Sequence, residues 1–402
     1  MNNWQSCDEQ YLMSTYNRLP IAITEARGNY LYDTEGNTYL DLFTGLAVNI
    51  LGHSHPAVVQ ALHEQGEKFL HISNKFLNPP AIRLARRLVE NSILGRVFFC
   101  NSGAEATEAA LKLIHKWSLK QSGGKSGFVV MKKSFHGRTL GAVRLTRQPG
   151  VQQDYPQPEI PVWEVEPNDI EQLKAVCKRE RPAAVLAEPI LGSGGIRPLE
   201  ESYLREIENL CREQGMLCCM DEIQSGVGRT GQLFAYQHAG IQPDLILFAK
   251  GIGGGLPLGG IIAGETLSDL FRPGDHGTTF APSPLSAALG CAVLEELLDR
   301  GQMEQGRNHA AHLWERLRSL REKYPETVGE IRGRGMMIGL STHRRAEEIE
   351  ALQRELLAEG VLVDITQQTV IRLLPPLTLT PEETDRFVAK LDAHFAKWKG
   401  KA

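Results

Sequence analysis

The fold is decided by one stretch, Leu245-Ile246-Leu247-Phe248-Ala249-Lys250-Gly251-Ile252-Gly253-Gly254-Gly255-Leu256-Pro257-Leu258-Gly259-Gly260. An apolar run of strand length ends on a lone lysine, and a glycine-rich turn follows at once. In a doubly wound α/β protein, ligands bind at the carboxyl ends of strands. A lysine desolvated there loses proton affinity and becomes a nucleophilic amine able to form a Schiff base. Neighbouring glycines let backbone approach a bound group closely. Taken alone, the stretch fits equally a strand-ending lysine that points into water ahead of a flexible turn.

The segments before it alternate in the βαβ manner. A helical run from Ile170 leads to an apolar strand ending at Glu188-Pro189, and a second, from Glu201, leads to a strand ending at Asp221-Glu222. After Gly226-Val227-Gly228-Arg229-Thr230-Gly231 comes the strand that ends on Lys250. Glu188, Asp221 and Lys250 thus each follow the carboxyl end of a strand, and a parallel sheet brings them to one crevice. Earlier, a short strand to Cys100 precedes Asn101-Ser102-Gly103-Ala104-Glu105 and a long helical pattern from Ala106. Strand, small polar turn and helix start make an anion site, to which Ser102 adds a hydroxyl; an ordinary helix N-cap has the same appearance. Another strand, ending at Met131, opens into Phe135-His136-Gly137-Arg138-Thr139. There Phe135 can stack on a flat ring and Arg138 can grip a carboxylate.

The bulk properties narrow the class. The 402 residues suffice for a large and a small domain. A net charge of -4, with scattered lysines and arginines, argues against a nucleic-acid partner. No apolar run reaches the length of a membrane span. The start, Met1 to Cys7, lacks a basic patch followed by an apolar segment, so no signal peptide is expected. The seven cysteines include no CxxC pair, which leaves neither a zinc site nor a disulfide framework and suits a reducing cytoplasm. Cys218-Cys219 read as core residues.

Residues 1–55 read as a short helix and strands, with a hairpin around Asp33-Thr34-Glu35-Gly36-Asn37. His53 and His55 have no acidic or cysteine neighbour in sequence, so a loop-bracing role suits them better than a metal. Two long helices, from Pro284 and from about Met303, leave the large domain. Beyond them the chain reads strand, strand, helix, strand, helix. Arg372 lies in an apolar strand end, a costly place for a charge unless it meets an anion.

Together these segments resemble the class III pyridoxal-phosphate-dependent aminotransferases of the acetylornithine and ornithine type. The resemblance is carried by residues 30–56, 101–112 (NSGAEATEAALK), 135–139 (FHGRT), Glu188-Pro189, 221–231 (DEIQSGVGRTG), 249–259 (AKGIGGGLPLG), 277–280 (GTTF) and 331–339 (IRGRGMMIG). It implies fold type I: a large domain with a mostly parallel seven-stranded sheet flanked by helices, plus a small α+β domain. Residues 56–300 would form the large domain and residues 301–402 the small one, with residues 1–55 packing against the latter.

The resemblance also implies roles. Lys250 would carry pyridoxal 5'-phosphate as an imine and shuttle the proton, while Asp221 would keep the pyridinium nitrogen protonated, making the ring an electron sink. Gln224 would reach the phenolic oxygen. Phe135 and Ile223 would flank the ring, with His136 beside it. Ser102, Gly103 and Ala104 would hold the phosphate, completed by Thr279 from the other subunit of a homodimer. Arg138 and Arg372 match the family's carboxylate-binding arginines, and Glu188 would mask Arg372 by a salt bridge when a monocarboxylate donor binds. Tyr16 matches a substrate-contacting tyrosine. No metal is implied.

The chain also departs from the pattern. After Glu188-Pro189 the usual loop is of a Gln-Gly-Glu-Gly-Gly type, and here it reads Ile190-Leu191-Gly192-Ser193-Gly194-Gly195. After GTTF, Ala281-Pro282-Ser283-Pro284 replaces Gly-Gly-Asn-Pro, and the proline stiffens the loop. Leu374-Pro375-Pro376 stands where Ala-Pro-Pro is usual. The expected activity is transfer of the terminal amino group of an ω-amino acid to 2-oxoglutarate by a ping-pong cycle, giving an aldehyde and glutamate. N-acetylornithine, in arginine biosynthesis, is the first choice of donor, ahead of ornithine and 4-aminobutyrate. An intramolecular amino mutase needs no arginine pair, and a nucleotide-binding module leaves Lys250 with Asp221 unexplained, since the glycine run matches neither nucleotide-binding pattern.

Overall fold

The first three strands, β1 (Ile23–Arg27), β2 (Tyr30–Asp33) and β3 (Thr38–Asp41), pair antiparallel around the turn at Asp33. In this computed structural model residues 4–121 and 124–399 are described; the expectation of no signal peptide rests partly on residues 1–3, which lie outside them.

The chain continues through β4 (Gly95–Cys100), β5 (Phe128–Met131), β6 (Val162–Val165), β7 (Ala184–Ala187), the two-residue strands β8 (Ile190–Leu191) and β9 (Arg197–Pro198), β10 (Leu217–Asp221), β11 (Leu245–Phe248) and β12 (Gly259–Gly264). Seven of these make one sheet in the order β4-β12-β11-β10-β7-β5-β6. Only β12 runs antiparallel to its neighbours. The sheet is therefore mostly parallel, as the alternating pattern requires, and its inner strands are buried on both faces, while the edge strands β4 and β6 are partly exposed. Cys218, Met220, Ile246 and Phe248 point to one core with Leu84, Leu88, Leu289 and Val293. Cys219, Leu245 and Leu247 point to the other, with Ala106, Ala109 and Leu113 of the helix Gly103–Ser118. The period-2 alternation thus sends successive residues of one strand to opposite helical layers, and Cys218 and Cys219 are core residues, as read.

The C-terminal part holds β13 (Val328–Arg334), β14 (Met337–Thr342), β15 (Val361–Leu362), β16 (Asp364–Thr366) and β17 (Val370–Leu373). Four of them form a sheet ordered β13-β14-β17-β16, while β15 runs parallel to β3 and joins the N-terminal sheet. The buried Asn29 strengthens that junction by donating to Glu383 Oε2 at 2.6 Å. Where one strand was expected after the helix Ala346–Ala358, three short ones occur, because the chain passes from the N-terminal sheet to the C-terminal one after β15 and reverses at Gln367-Gln368 between β16 and β17. The edge strand β6 and the helix Leu140–Leu145 had no periodic signature; each is too short to display one. His53 does have an acidic partner, Asp41, whose Oδ2 lies 2.7 Å from Nε2. The fold brings this partner from another strand, and the contact braces the loop.

Candidate active site

The carboxyl ends of β4, β5, β7, β10 and β11 open on one cavity of about 560 Å³, lined by Ser102, Gly103, Ala104, Phe135, His136, Arg138, Glu188, Asp221, Ile223, Gln224 and Lys250, with Ser193 beside them. Lys250 enters from the turn Lys250–Gly253 that ends β11, with φ at 52°, a left-handed value that a lysine adopts only when its surroundings impose it. Burial, joined by the positive charge of Arg372, lowers its proton affinity to about 8, against the opposing pull of Asp221 and Glu188.

Asp221, at the last position of β10, is held by two groups. Its Oδ2 lies 2.6 Å from His136 Nδ1, and its Oδ1 accepts from Ile223 N at 3.1 Å. The His136 backbone is clamped in turn: its N–H donates to Thr146 Oγ1 at 2.9 Å, and its carbonyl accepts from Thr107 Oγ1 at 2.7 Å. Glu188 is buried and accepts from the N–H groups of Phe135 (2.8 Å) and Gly192 (3.1 Å). Burial pushes its carboxyl up to about 7; the nearby His136 opposes that rise, and the charge of Asp221 adds to it.

Ser102 caps the helix Gly103–Ser118, its Oγ accepting from Glu105 N at 3.2 Å, so the helix start faces the cavity. A Cβ at Gly103 would stand 2.9 Å from Ile223 Cγ2, a fit that only glycine allows. Arg138 is exposed at the cavity mouth, its Cζ 5.5 Å from the Phe135 ring centroid, and no carboxylate among the described residues pairs with it.

One expectation is corrected. The Glu188–Arg372 bridge is not formed: both oxygens of Glu188 are engaged by backbone N–H groups, and Arg372 pairs with Asp364, with Nε and Nη2 at 2.7 and 2.6 Å from Oδ2. Tyr16 lies outside the cavity of its own chain, 74% exposed beside Arg18. Thr279 is likewise exposed and outside it.

Sequence reasoning missed Asp364 and Glu108. Glu108 Oε1 accepts from Thr139 Oγ1 (2.5 Å) and from the N–H groups of Gly141 (3.0 Å) and Ala142 (3.3 Å), pinning the segment that carries Arg138. Asp364 had the same signal that singled out Arg372, a charge within an apolar strand. Glu108 had none, being one of several acids on a helix.

The site suits a flat, anionic aromatic cofactor. Gln224 Oε1 is buried without a hydrogen-bond partner, and so is His136 Nε2. A helix start offers N–H groups to a phosphate, and an amine stands across the cavity from a buried carboxylate. A family model described as aminotransferase class-III matches residues 11–395.

The chain belongs to the class III aminotransferases.

Similar proteins of this family include the acetylornithine aminotransferases of Caldanaerobacter subterraneus (42% identical, covering 96% of this chain and 97% of that one) and Methanocaldococcus jannaschii (40%, covering 99% of each). Among solved structures, the N-acetylornithine aminotransferase of Stenotrophomonas maltophilia matches with a TM-score of 0.83 at 30% identity, covering 99% of this chain and 100% of that one. The ornithine aminotransferase of Toxoplasma gondii matches at 0.93 and 28%, covering 100% and 96%. As a class III aminotransferase the protein is an enzyme that uses pyridoxal 5'-phosphate to exchange amino groups. Among the described residues no helix is long and apolar enough to cross a membrane.

Proposed function

We propose that this class III aminotransferase moves the terminal amino group of N-acetylornithine to 2-oxoglutarate, a step of arginine biosynthesis. The observation that carries the proposal is the convergence of Lys250, Asp221 and Arg138 on one cavity, in a chain similar over nearly its whole length to acetylornithine aminotransferases. Bound in this cavity, pyridoxal phosphate supplies an electron sink that makes the C–H bond beside the substrate nitrogen acidic. Lys250 Nζ, with its lowered proton affinity, would take that proton and give it back to the carbon on the far side of the substrate nitrogen, two bonds along. The Asp221 carboxylate, oriented by His136, holds a proton on the ring nitrogen. Phe135 and Ile223 enclose the ring, Gln224 reaches its phenolic oxygen, and Ser102 with the N–H groups of Gly103 and Ala104 binds the phosphate.

Arg138 at the mouth takes the carboxylate remote from the reacting group, which is the α-carboxylate of the donor and the distal carboxylate of 2-oxoglutarate or glutamate, and Arg372, whose charge reaches Lys250, takes the carboxylate beside the reacting carbon. We further propose a cytoplasmic homodimer. In it, the exposed Thr279 completes the phosphate site of the neighbouring subunit, and Tyr16 meets substrate only once the N-terminal segment is held by the assembled enzyme. Residues 56–300 act as the large domain, and residues 301–402 as the small one, with residues 1–55 packed on it.

The test is the visible spectrum of the purified enzyme while N-acetylornithine, ornithine and 4-aminobutyrate are added singly. Bleaching of the yellow band by N-acetylornithine, restored by 2-oxoglutarate, is expected. Bleaching by another amine alone would refute the donor assignment, and a protein that takes up no pyridoxal phosphate would refute the site.

A further inference from the structure

We propose that Asp364 is the counter-ion that Arg372 exchanges for a substrate carboxylate, so that Asp364 governs how readily dicarboxylates compete with a monocarboxylate amine donor. The inference rests on the reading that Arg372 meets the carboxylate of 2-oxoglutarate and glutamate beside the reacting carbon.

Arg372 on β17 is only 7% exposed, and a guanidinium so placed needs an anion in every state of the enzyme. In this structure the anion is Asp364. The two residues are directly opposite in the antiparallel register of β16 and β17, so backbone pairing holds them together on one sheet face. Both short contacts, from Nε and from Nη2, fall on Oδ2 alone. The Asp364 side chain keeps 24% of its surface in solvent, so a carboxylate released by Arg372 stays hydrated rather than stranded. The third nitrogen, Nη1, points to the carbonyl of Gly192 at 3.5 Å, and Gly192 precedes Ser193 of the cavity wall. Arg372 thus stands between its counter-ion and the loop that walls the cavity, near enough for its charge to act on Lys250.

The alternatives for this role are occupied or absent. Glu188 is committed to two backbone N–H groups. Ser193, on the cavity wall, offers only a hydroxyl, which cannot neutralise a cation. The loop is itself tied to the C-terminal sheet, since the Ser193 carbonyl accepts from Thr366 Oγ1 (3.0 Å) and Gln367 Nε2 (2.9 Å) and the Gly195 carbonyl from Arg332 Nε (2.7 Å). The carboxylate that pairs with Arg372 comes instead from the adjacent strand of the same sheet. A donor with one carboxylate leaves the Arg372–Asp364 pair closed, while a dicarboxylate has to open it and bears the cost of separating the pair.

The experiment compares the wild-type holoenzyme with Asp364→Asn. Calorimetry gives the dissociation constant of glutarate, an unreactive five-carbon dicarboxylate, and absorbance follows the half-reactions with glutamate and with N-acetylornithine. Removing the competing anion should tighten glutarate about ten-fold and lower KM for 2-oxoglutarate, eroding the preference for N-acetylornithine over glutamate. Adding Ser193→Glu to the variant returns a carboxylate from the loop side and should restore weak glutarate binding, which a merely structural role of Asp364 would not produce. Ser193→Glu alone, which leaves Asp364 in place, should weaken glutarate and serves if Asp364→Asn does not fold. Glutarate affinity within two-fold of wild type in Asp364→Asn, or unaffected by Ser193→Glu, overturns the proposal. Failure of the wild type to accept N-acetylornithine would overturn the donor assignment instead, while the glutarate comparison still decides the role of Asp364.

Discussion

His136 Nδ1 stands 2.6 Å from Asp221 Oδ2, and both side chains are sealed from solvent. The residues are 85 positions apart, yet the histidine is the side chain that orients the carboxylate assigned to the cofactor's ring nitrogen. His136→Ala should lower kcat about 10- to 100-fold, the scale of a lost hydrogen bond to a charge, with little change in KM for the amine. A shift of the visible absorbance maximum should accompany it. Asp221→Asn should cost more turnover than His136→Ala, and the reverse order would remove His136 from its orienting role.

Lys250 gives a pH signature in protein prepared without pyridoxal phosphate. Its folded-state proton affinity, about 8, lies below the ordinary 10.5. The folded state is therefore penalised in full below pH 8, where the amine is charged in both states, and the penalty fades as pH rises toward 10.5. Lys250→Met should be more stable than wild type at pH 7 by about 2–3 kcal/mol, with a gap that narrows by pH 10. Urea melts at both pH values check this, and a gap that does not change with pH contradicts it. With the cofactor added, Lys250→Ala should show neither the yellow band nor turnover.

Glu222 has the opposite sign. It is fully buried, accepts from Ser225 Oγ at 2.6 Å and Tyr236 N at 2.7 Å, and burial pushes it up to about 7. The folded state binds its proton more tightly than the unfolded state, so stability falls as pH climbs from 4.5 to 7 and the loss is complete above that. Glu222→Gln escapes the loss. Its melting temperature relative to wild type should rise between pH 5 and pH 8, by the equivalent of about 3 kcal/mol at most. A constant offset would show that Glu222 is ionised throughout.

Gly192 leaves room for Gln224. A Cβ there would overlap Gln224 Oε1, so Gly192→Ala must displace that side chain. Pyridoxal phosphate should bind about ten-fold more weakly, given the 1–3 kcal/mol typical of overpacking. Fluorescence titration measures it, and unchanged affinity would take Gln224 out of the cofactor site.

Arg138 is assigned the donor's carboxylate through its two-pronged geometry. Arg138→Lys keeps the charge and loses the fork, so KM for the amine donor should rise about ten-fold or more while kcat changes less. Equal KM values would place the donor's carboxylate elsewhere.

Much of the site was legible because its signals are local. The apolar run Leu245–Phe248 with Lys250 after it, and Asp221 at the end of its own strand, needed only the rule that parallel strands share a carboxyl edge. Ser102 could be read as a cap because capping spans four residues. Glu188 was placed correctly in the cavity and wrongly in its partnership, because strand-end position predicts where a side chain arrives and not which hydrogen bonds it finds there. Glu108 was invisible, since its partners lie across a helix-to-helix contact with no trace in its own helix.

The sequence by itself marked the parallel strands that carry Glu188, Asp221 and Lys250 and put those residues at the strands' carboxyl ends, because strand length, two-residue alternation and turn chemistry are properties of contiguous residues. Only the tertiary structure decided that Arg372 pairs with Asp364, that His136 orients Asp221, and that Tyr16 and Thr279 lie outside their own chain's cavity. Those outcomes depend on strand register and on competition among carboxylates for a buried cation. Both turn on ångström-scale distances between residues far apart along the chain, which no local pattern encodes.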